Sequence, residues 1–283
     1  MSSSAPTSPP PSSQTYLLTH PTPHTLLITL NRPSSMNALP HSAHWDLSAL
    51  LTWYDASPTL RVAIITGAGT KAFCAGQDLL ELRQLRDAPP PTPAEAAQRR
   101  HPRSGFAGLS RREGRKPVIA AVNGVALGGG FEICLNCDMT IASPTATFGL
   151  PEALRGIYAG AGGLPRLIRT VGLQVASEIA LTGRTLNAQE AKELRLINHI
   201  SRTPESLVEE AVELAKQVAK ISPDAAIVTR AGLRQAWETA SVERAYQITQ
   251  ERFGEALIGG ENAKEGLRAF AEKREPRWLP SKL

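Results

Sequence analysis

An α/β core with a helical C-terminal extension is the fold class that this 283-residue chain predicts, on three observations. Short β-rich runs alternate with helix-patterned segments in the first half. Beyond Pro151 helix-patterned segments follow one another almost without a break. Two glycine-containing corners, Gly76-Gln77-Asp78 and Gly128-Gly129-Gly130, each stand just before a helical segment. The length fits one large domain or two small ones. Apolar residues at 42% and charged residues at 20% are ordinary for a globular chain and too apolar for a disordered one. Apolar runs reach about five residues, against the ~20 needed to cross a bilayer, so no membrane span is expected. No basic segment followed by an apolar run opens the chain, so no secretory signal is expected. Three cysteines cannot build a disulfide framework, and an interior, reducing compartment follows. A net charge of +5 and pI of 9.3 point to an anionic partner without naming it.

Residues 1–14 are Ser/Pro-rich with nothing large to bury, and read as a disordered tail. β-rich runs at Thr15–Thr19 and Thr25–Leu30 flank a His-Pro-Thr-Pro-His turn. Trp45, Leu47, Leu50, Leu51 and Tyr54 give Ser42–Tyr54 a helical spacing. Arg61–Thr66 and Val118–Val122 read as buried strands. Between them, Pro-rich 88–93 and a run from Arg99 to Lys116 with seven Lys/Arg against one Glu predict a mobile, basic, exposed insertion over 88–116. A helix over Phe131–Cys137 and a strand near Met139–Ala142 follow. Helices are expected at Leu164–Val171, Val175–Leu181, Ala188–Leu194, Pro204–Ile221, Pro223–Thr239, Val242–Leu257 and Ala263–Lys273. The division is therefore a core over 15–200 and a helical region over 201–283.

Gly67-Ala68-Gly69-Thr70-Lys71-Ala72 fits a dinucleotide fingerprint in letters only. Phe73-Cys74-Ala75-Gly76 follows where a helix must open, and no acidic ribose-binding residue closes a second strand. Gly128-Gly129-Gly130 is more informative, because open backbone N–H groups at a helix start can hold a developing oxyanion. It also reads equally well as a tight strand-to-helix turn. Glu132 falls in the first turn of that helix and Glu152 at a further break. Alone, each is more simply a helix-start charge. Cys134 and Cys137 lack a second ligand pair for zinc, so no metal site is expected. His41 and His44 read as incidental.

Several segments in order resemble the crotonase (enoyl-CoA hydratase/isomerase) family over residues 16–275. They include Asn31-Arg32-Pro33, Asn37-Ala38-Leu39, Ala72–Leu79, Ile119–Glu132, Cys137-Asp138, Phe148–Glu152, Gly160–Arg166, Leu181–Arg184 and Glu190-Ala191. The resemblance implies a ββα spiral core, with C-terminal helices that assemble trimers or dimers of trimers. It implies an oxyanion hole from the amides of Gln77 and Gly129, catalytic carboxylates Glu132 and Glu152, and a coenzyme A and substrate surface at Ser34, Ser35, Met36, Ala38, Ala75, Asp78 and Leu79. The expected chemistry is addition or removal of water across a 2-enoyl-CoA/3-hydroxyacyl-CoA pair, with no cofactor beyond the thioester substrate. A Δ3,Δ2-enoyl-CoA isomerase is the alternative within the fold, and a non-catalytic RNA-binding or scaffold member the alternative outside enzymology. Both glutamates favour hydration, and the basic run lacks interleaved aromatic residues beyond Phe106, so nucleic acid is not the expected partner. Ile157-Tyr158-Ala159-Gly160 departs from the family's Ile-Pro-Gly, so a short linear acyl chain does not follow. The final Ser281-Lys282-Leu283 matches the peroxisomal address, which predicts an import receptor as partner and the peroxisome as location.

Overall fold

An antiparallel hairpin, β1 (Tyr16–Thr22) and β2 (Thr25–Leu30), leads through α1 (His41–Ala56) into a motif that recurs. Two strands, each destined for a different sheet, are followed by helical structure. β3 (Val62–Gly67) and β4 (Ala72–Cys74) precede α2 (Leu79–Asp87), with α3 (Pro93–Gln98) after it. β5 (Val118–Val122) and β6 (Val125–Leu127) precede α4 (Gly129–Asn136). β7 (Met139–Ala142) and β8 (Thr147–Gly149) precede a 3-10 turn at Pro151–Arg155 and α5 (Gly163–Val171). The remainder is α6 (Leu173–Thr182), β9 (Thr185–Asn187), α7 (Ala188–Glu193), β10 (His199–Ile200), α8 (Leu207–Lys220), α9 (Pro223–Thr239), α10 (Val242–Thr249), α11 (Glu255–Ile258) and α12 (Glu261–Ala271). The computed structural model describes residues 8–239 and 241–283.

One sheet has the order β1-β2-β3-β5-β7-β10 and the other β4-β6-β8-β9. This is the expected ββα spiral. Period-two side-chain alternation explains why the central strands are apolar throughout. Val62, Ile64, Ile119, Ala121 and Ile141 face α8, while Ala63, Ile65, Ala120 and Val122 face the main core with α1. The corners between the sheets are locked by two asparagines. Asn37 donates to Ala68 O and Ala72 O, and Asn123 donates to Gly69 O and accepts from Gly67 N. β3 runs on to β4 with no helix at Gly67–Ala72, so the fingerprint there is a sheet-to-sheet turn.

Three expected boundaries need correction. Met1–Thr7 of the anticipated tail lie outside the described residues, but from Ser8 the chain packs on α1. Trp53 Nε1 donates to Ser8 O at 3.0 Å and Tyr16 Oη to Pro11 O at 2.7 Å, two indole and phenol donors that need acceptors at the surface of the core. The 88–116 segment is not an exposed insertion throughout. Thr92 and Glu95 form a capping box on α3, and Phe106, Ala107, Leu109 and Ser110 are core residues. Arg112 is buried too, with its terminal guanidinium nitrogens held by Asp55 at 2.5 Å and by the Lys116 carbonyl. Finally, α8 belongs to the core: Leu207, Ala211 and Ala215 cover the second face of the large sheet. The peripheral helical region begins at α9.

A buried ionic hub ties α9 to that core. Asp138 accepts from Val118 N at 2.8 Å and pairs with Arg230 at 2.9 Å and Arg234 at 3.1 Å. Burial raises its pKa, but the two guanidiniums and the amide overcome that and hold the carboxyl below the usual range. Removing one partner strands the others' charge in a poorly solvated place. Asp138→Ala is expected to cost about 3–5 kcal/mol in unfolding free energy. Chemical denaturation of the variant checks this, and a loss below about 0.5 kcal/mol would place the pairs among ordinary surface ion pairs.

Candidate active site

Two glycine corners meet at the centre of the spiral. Gly76, at φ +93°, ends the β4 connection, and Leu39 and Asp78 bracket it with backbone hydrogen bonds of 2.9 Å each. Gly128, at φ +55°, opens α4 and donates to Gly149 O at 2.9 Å. A Cβ on Gly76 would lie 3.0 Å from Leu127 O and 3.4 Å from Gly129 N, so the corners touch back to back. The positive φ and the close approach both require glycine here. Neither Gln77 N nor Gly129 N donates to another described residue. Gly129 is the first residue of α4, where an N–H has no intrahelical acceptor. Such a pair of amides suits an oxyanion.

Glu132 projects from the first turn of α4 and is only 2% exposed. Its Oε1 accepts from Gly163 N, the first residue of α5, at 2.8 Å. A Cβ on Gly163 would stand 2.6 Å from Glu132 Cγ, so that glycine makes room for the carboxylate. Burial raises the Glu132 pKa, with the Gly163 and Ala161 amides and Arg166 opposing the rise. Glu152 enters from the 3-10 turn after Pro151, with its Oε1 2.9 Å from where a Gly128 Cβ would be. Burial pushes its pKa up to about 7, and the nearby Glu132 charge adds to the rise. Glu152 Oε2 is buried without a hydrogen-bond partner among the described residues. A buried, unpartnered carboxyl oxygen beside a second raised carboxyl is equipped for proton exchange with a bound molecule.

The structure also gathers the other expected site residues. Ser34 and Ser35 lie on an exposed 3-10 turn, Met36 carries φ +53°, and Met36 O accepts from Ala75 N at 3.0 Å. Ala38 follows on the same loop, and Leu79 is 49% exposed at the start of α2. Asp78 is occupied differently. Its carboxylate caps α2 through Leu80 N and Glu81 N and pairs with Arg32 at 2.9 Å, which fixes the loop rather than facing a ligand. Cys134 and Cys137 are free, and the described residues contain no cluster of metal-binding side chains. Sequence reasoning missed Phe106, His41 and His44. Phe106 lies in the supposed insertion, yet its ring carbons would be 2.7 Å from a Gly129 Cβ. His44 is fully buried and hydrogen-bonded to the Gln77 side chain at 2.9 Å. No local signal marks either, since both act across elements far apart in sequence.

A pair of amides beside two carboxyls with raised pKa values suits chemistry in which an enolate is stabilised while a proton moves. Comparison with known proteins gives the class its name. The sequence profile described as enoyl-CoA hydratase/isomerase matches residues 24–280. The mevalonyl-coenzyme A hydratase of Beauveria bassiana is 49% identical over 97% of this chain and 98% of its own. That of Aspergillus fumigatus is 47% identical over 96% and 98%. The carnitinyl-CoA dehydratase of Proteus mirabilis is 38% identical over 89% and 94%. A crystal structure of enoyl-CoA hydratase from Bacillus anthracis superposes with a TM-score of 0.83 at 34% identity, covering 95% of this chain and all of that one. The chain belongs to the enoyl-CoA hydratase/isomerase family, and its fold is the crotonase fold.

Proposed function

We propose that this enzyme interconverts mevalonyl-CoA and anhydromevalonyl-CoA by removing or adding water across the C2–C3 bond. The observation that carries a hydratase is the juxtaposition of Glu132 and Glu152, both with raised pKa values, beside the paired amides of Gln77 and Gly129. The mevalonyl assignment is supported by the names of the fungal relatives at 49% and 47% identity. In hydration, ionised Glu132 takes a proton from water as its oxygen bonds to C3. The C2–C3 π electrons move toward the thioester, and the amides hold the resulting enolate oxygen. Protonated Glu152 then delivers its proton to C2. Dehydration is the reverse: Glu152 removes the C2 proton and Glu132 protonates the departing hydroxyl.

The substrate pair is tested by following the enoyl-thioester absorbance with anhydromevalonyl-CoA and crotonyl-CoA. Anhydromevalonyl-CoA is expected to be the better substrate by kcat/KM. Preference for crotonyl-CoA would reassign the enzyme to straight-chain acyl groups. Shifting of a 3-enoyl double bond that survives Glu132→Ala would make it an isomerase. The reading extends to assembly and location. Leu233, Trp237, Tyr246 and Phe270 are exposed apolar residues on α9, α10 and α12, which supports self-association as trimers or dimers of trimers. Ser281-Lys282-Leu283 supports import into peroxisomes.

A further inference from the structure

We infer that the Gln77 side chain, set in place by His44, is a specificity subsite that binds a hydroxyl group carried by the acyl chain beyond the reacting carbons. The inference rests on the substrate reading above, since the mevalonyl group carries a primary hydroxyl at C5 that a plain alkyl chain lacks.

The hydrogen bonds settle how the carboxamide is turned. His44 sits on the buried side of α1 and is fully enclosed, so both ring nitrogens need partners. Ala107 N donates to Nδ1 at 3.0 Å. A backbone N–H can only donate, so Nδ1 carries the lone pair and Nε2 carries the proton. Nε2 therefore donates to Gln77 Oε1 at 2.9 Å. Burial lowers the His44 pKa to about 3, with His101 and His41 adding to it against the Gln77 bond, so the ring stays neutral and keeps this tautomer. Ala107 adopts φ +53° to aim its N–H, a conformation uncommon for a residue with a Cβ.

With Oε1 committed, the Gln77 NH2 group points away from His44 and is poorly used. Its contacts are 3.3 Å to His41 Nδ1, which donates to Glu81 and cannot accept, and 3.4 Å to Glu81 Oε2, long for a hydrogen bond. Glu81 Oε2 is already bonded to His41 N and His41 Nδ1, each at 2.9 Å. The result is a half-buried amide with donor capacity to spare, next to a carboxylate that can accept. This amide is on the same residue as one oxyanion-hole N–H. Phe106 links the two places: its ring is 4.4 Å from the His44 ring by centroids and closes over Gly129. An alkyl chain against such a group would leave it unpaired, whereas a hydroxyl can accept from Gln77 and donate to Glu81. Sites built to bond a hydroxyl discriminate strongly against analogues without one.

The test compares anhydromevalonyl-CoA with 3-methylpent-2-enoyl-CoA, which has the same carbon skeleton without the C5 hydroxyl. Wild-type kcat/KM is expected to favour the hydroxylated substrate by about tenfold or more. Gln77→Met keeps the backbone amide and the side-chain length but removes the donors, and is expected to bring the ratio near unity, chiefly through KM for the hydroxylated substrate. His44→Leu leaves Gln77 present but untethered and should lower the ratio part of the way. A wild-type ratio near unity overturns the inference, as does a Gln77→Met variant that loses the same factor on both substrates. If neither branched substrate turns over while crotonyl-CoA is hydrated, the substrate reading itself has failed and the subsite falls with it.

Discussion

Replacement of Glu152 by Gln is expected to lower kcat for hydration by about 10²–10⁴, with a loss of the same order for Glu132→Gln. Glutamine conserves the volume of each side chain, so the substitutions test proton transfer rather than packing. Glu132→Gln keeps an oxygen that can accept from Gly163 N, as Oε1 does at 2.8 Å. Glu152 Oε2 has no partner among the described residues to lose. The two glutamates serve one water and one C2 proton, so the double variant should cost little more than the worse single variant. Single-turnover absorbance kinetics check this. A Glu152→Gln enzyme within threefold of wild type would remove it from the chemistry.

The same pair fixes the pH profile. One proton shared by two carboxyls is the working state in both directions: on Glu152 for hydration, on Glu132 for dehydration. Water addition to the thioester releases no net proton, so kcat/KM in the two directions must keep a constant ratio at every pH. Both carboxyls are raised by burial, and Glu152 holds its proton to about pH 7. Above that the pair becomes doubly ionised and has no proton for C2, so kcat/KM falls on the alkaline side. At low pH the second proton binds and activity falls again, with both limbs belonging to the pair rather than to either residue.

Local patterns carried most of the architecture. The alternation of buried strands with helical segments announced an α/β core, because parallel strands covered on both faces must be apolar at every position, and the family resemblance supplied the spiral. The periodic face of α8 was visible as a helix, but its partner was not. Only the assembled sheet shows that Leu207, Ala211 and Ala215 close the second face rather than beginning a separate region. The basic run misled for a related reason. Seven cationic residues outweighed Phe106 and Leu109 in composition, yet Arg112 buries its charge against Asp55, a residue on α1. Within the site, the glycine corners and the helix starts that carry Glu132 and Glu152 were visible as local patterns, but only the family resemblance singled out those glutamates with the Gln77 and Gly129 amides. His44 was not, since its significance depends on Ala107 and Gln77 reaching it from two distant loops.

Gly129→Ala is expected to reduce kcat by about 10²–10³ while leaving the protein folded, the loss that follows removal of one oxyanion donor. Gly129 lies in the first turn of α4 with an ordinary negative φ, so alanine meets no backbone strain. The obstacle is lateral. The new Cβ would stand 2.7 Å from three ring carbons of Phe106, which is 1% exposed and packed against His44. A ring so enclosed has little room to move, so the start of α4 must turn and carry the Gly129 N–H out of line with the thioester oxygen. Relieving the clash should therefore return activity: Gly129→Ala combined with Phe106→Leu is expected to be faster than Gly129→Ala alone. The neighbouring glycines separate this effect from general damage. Gly128→Ala imposes a positive φ on alanine and presses on Glu152 Oε1 at 2.9 Å, whereas Gly130→Ala would put a Cβ 2.0 Å from Cys74 O and should fail in folding. A Gly129→Ala enzyme with wild-type kcat would show that the enolate oxygen is held elsewhere.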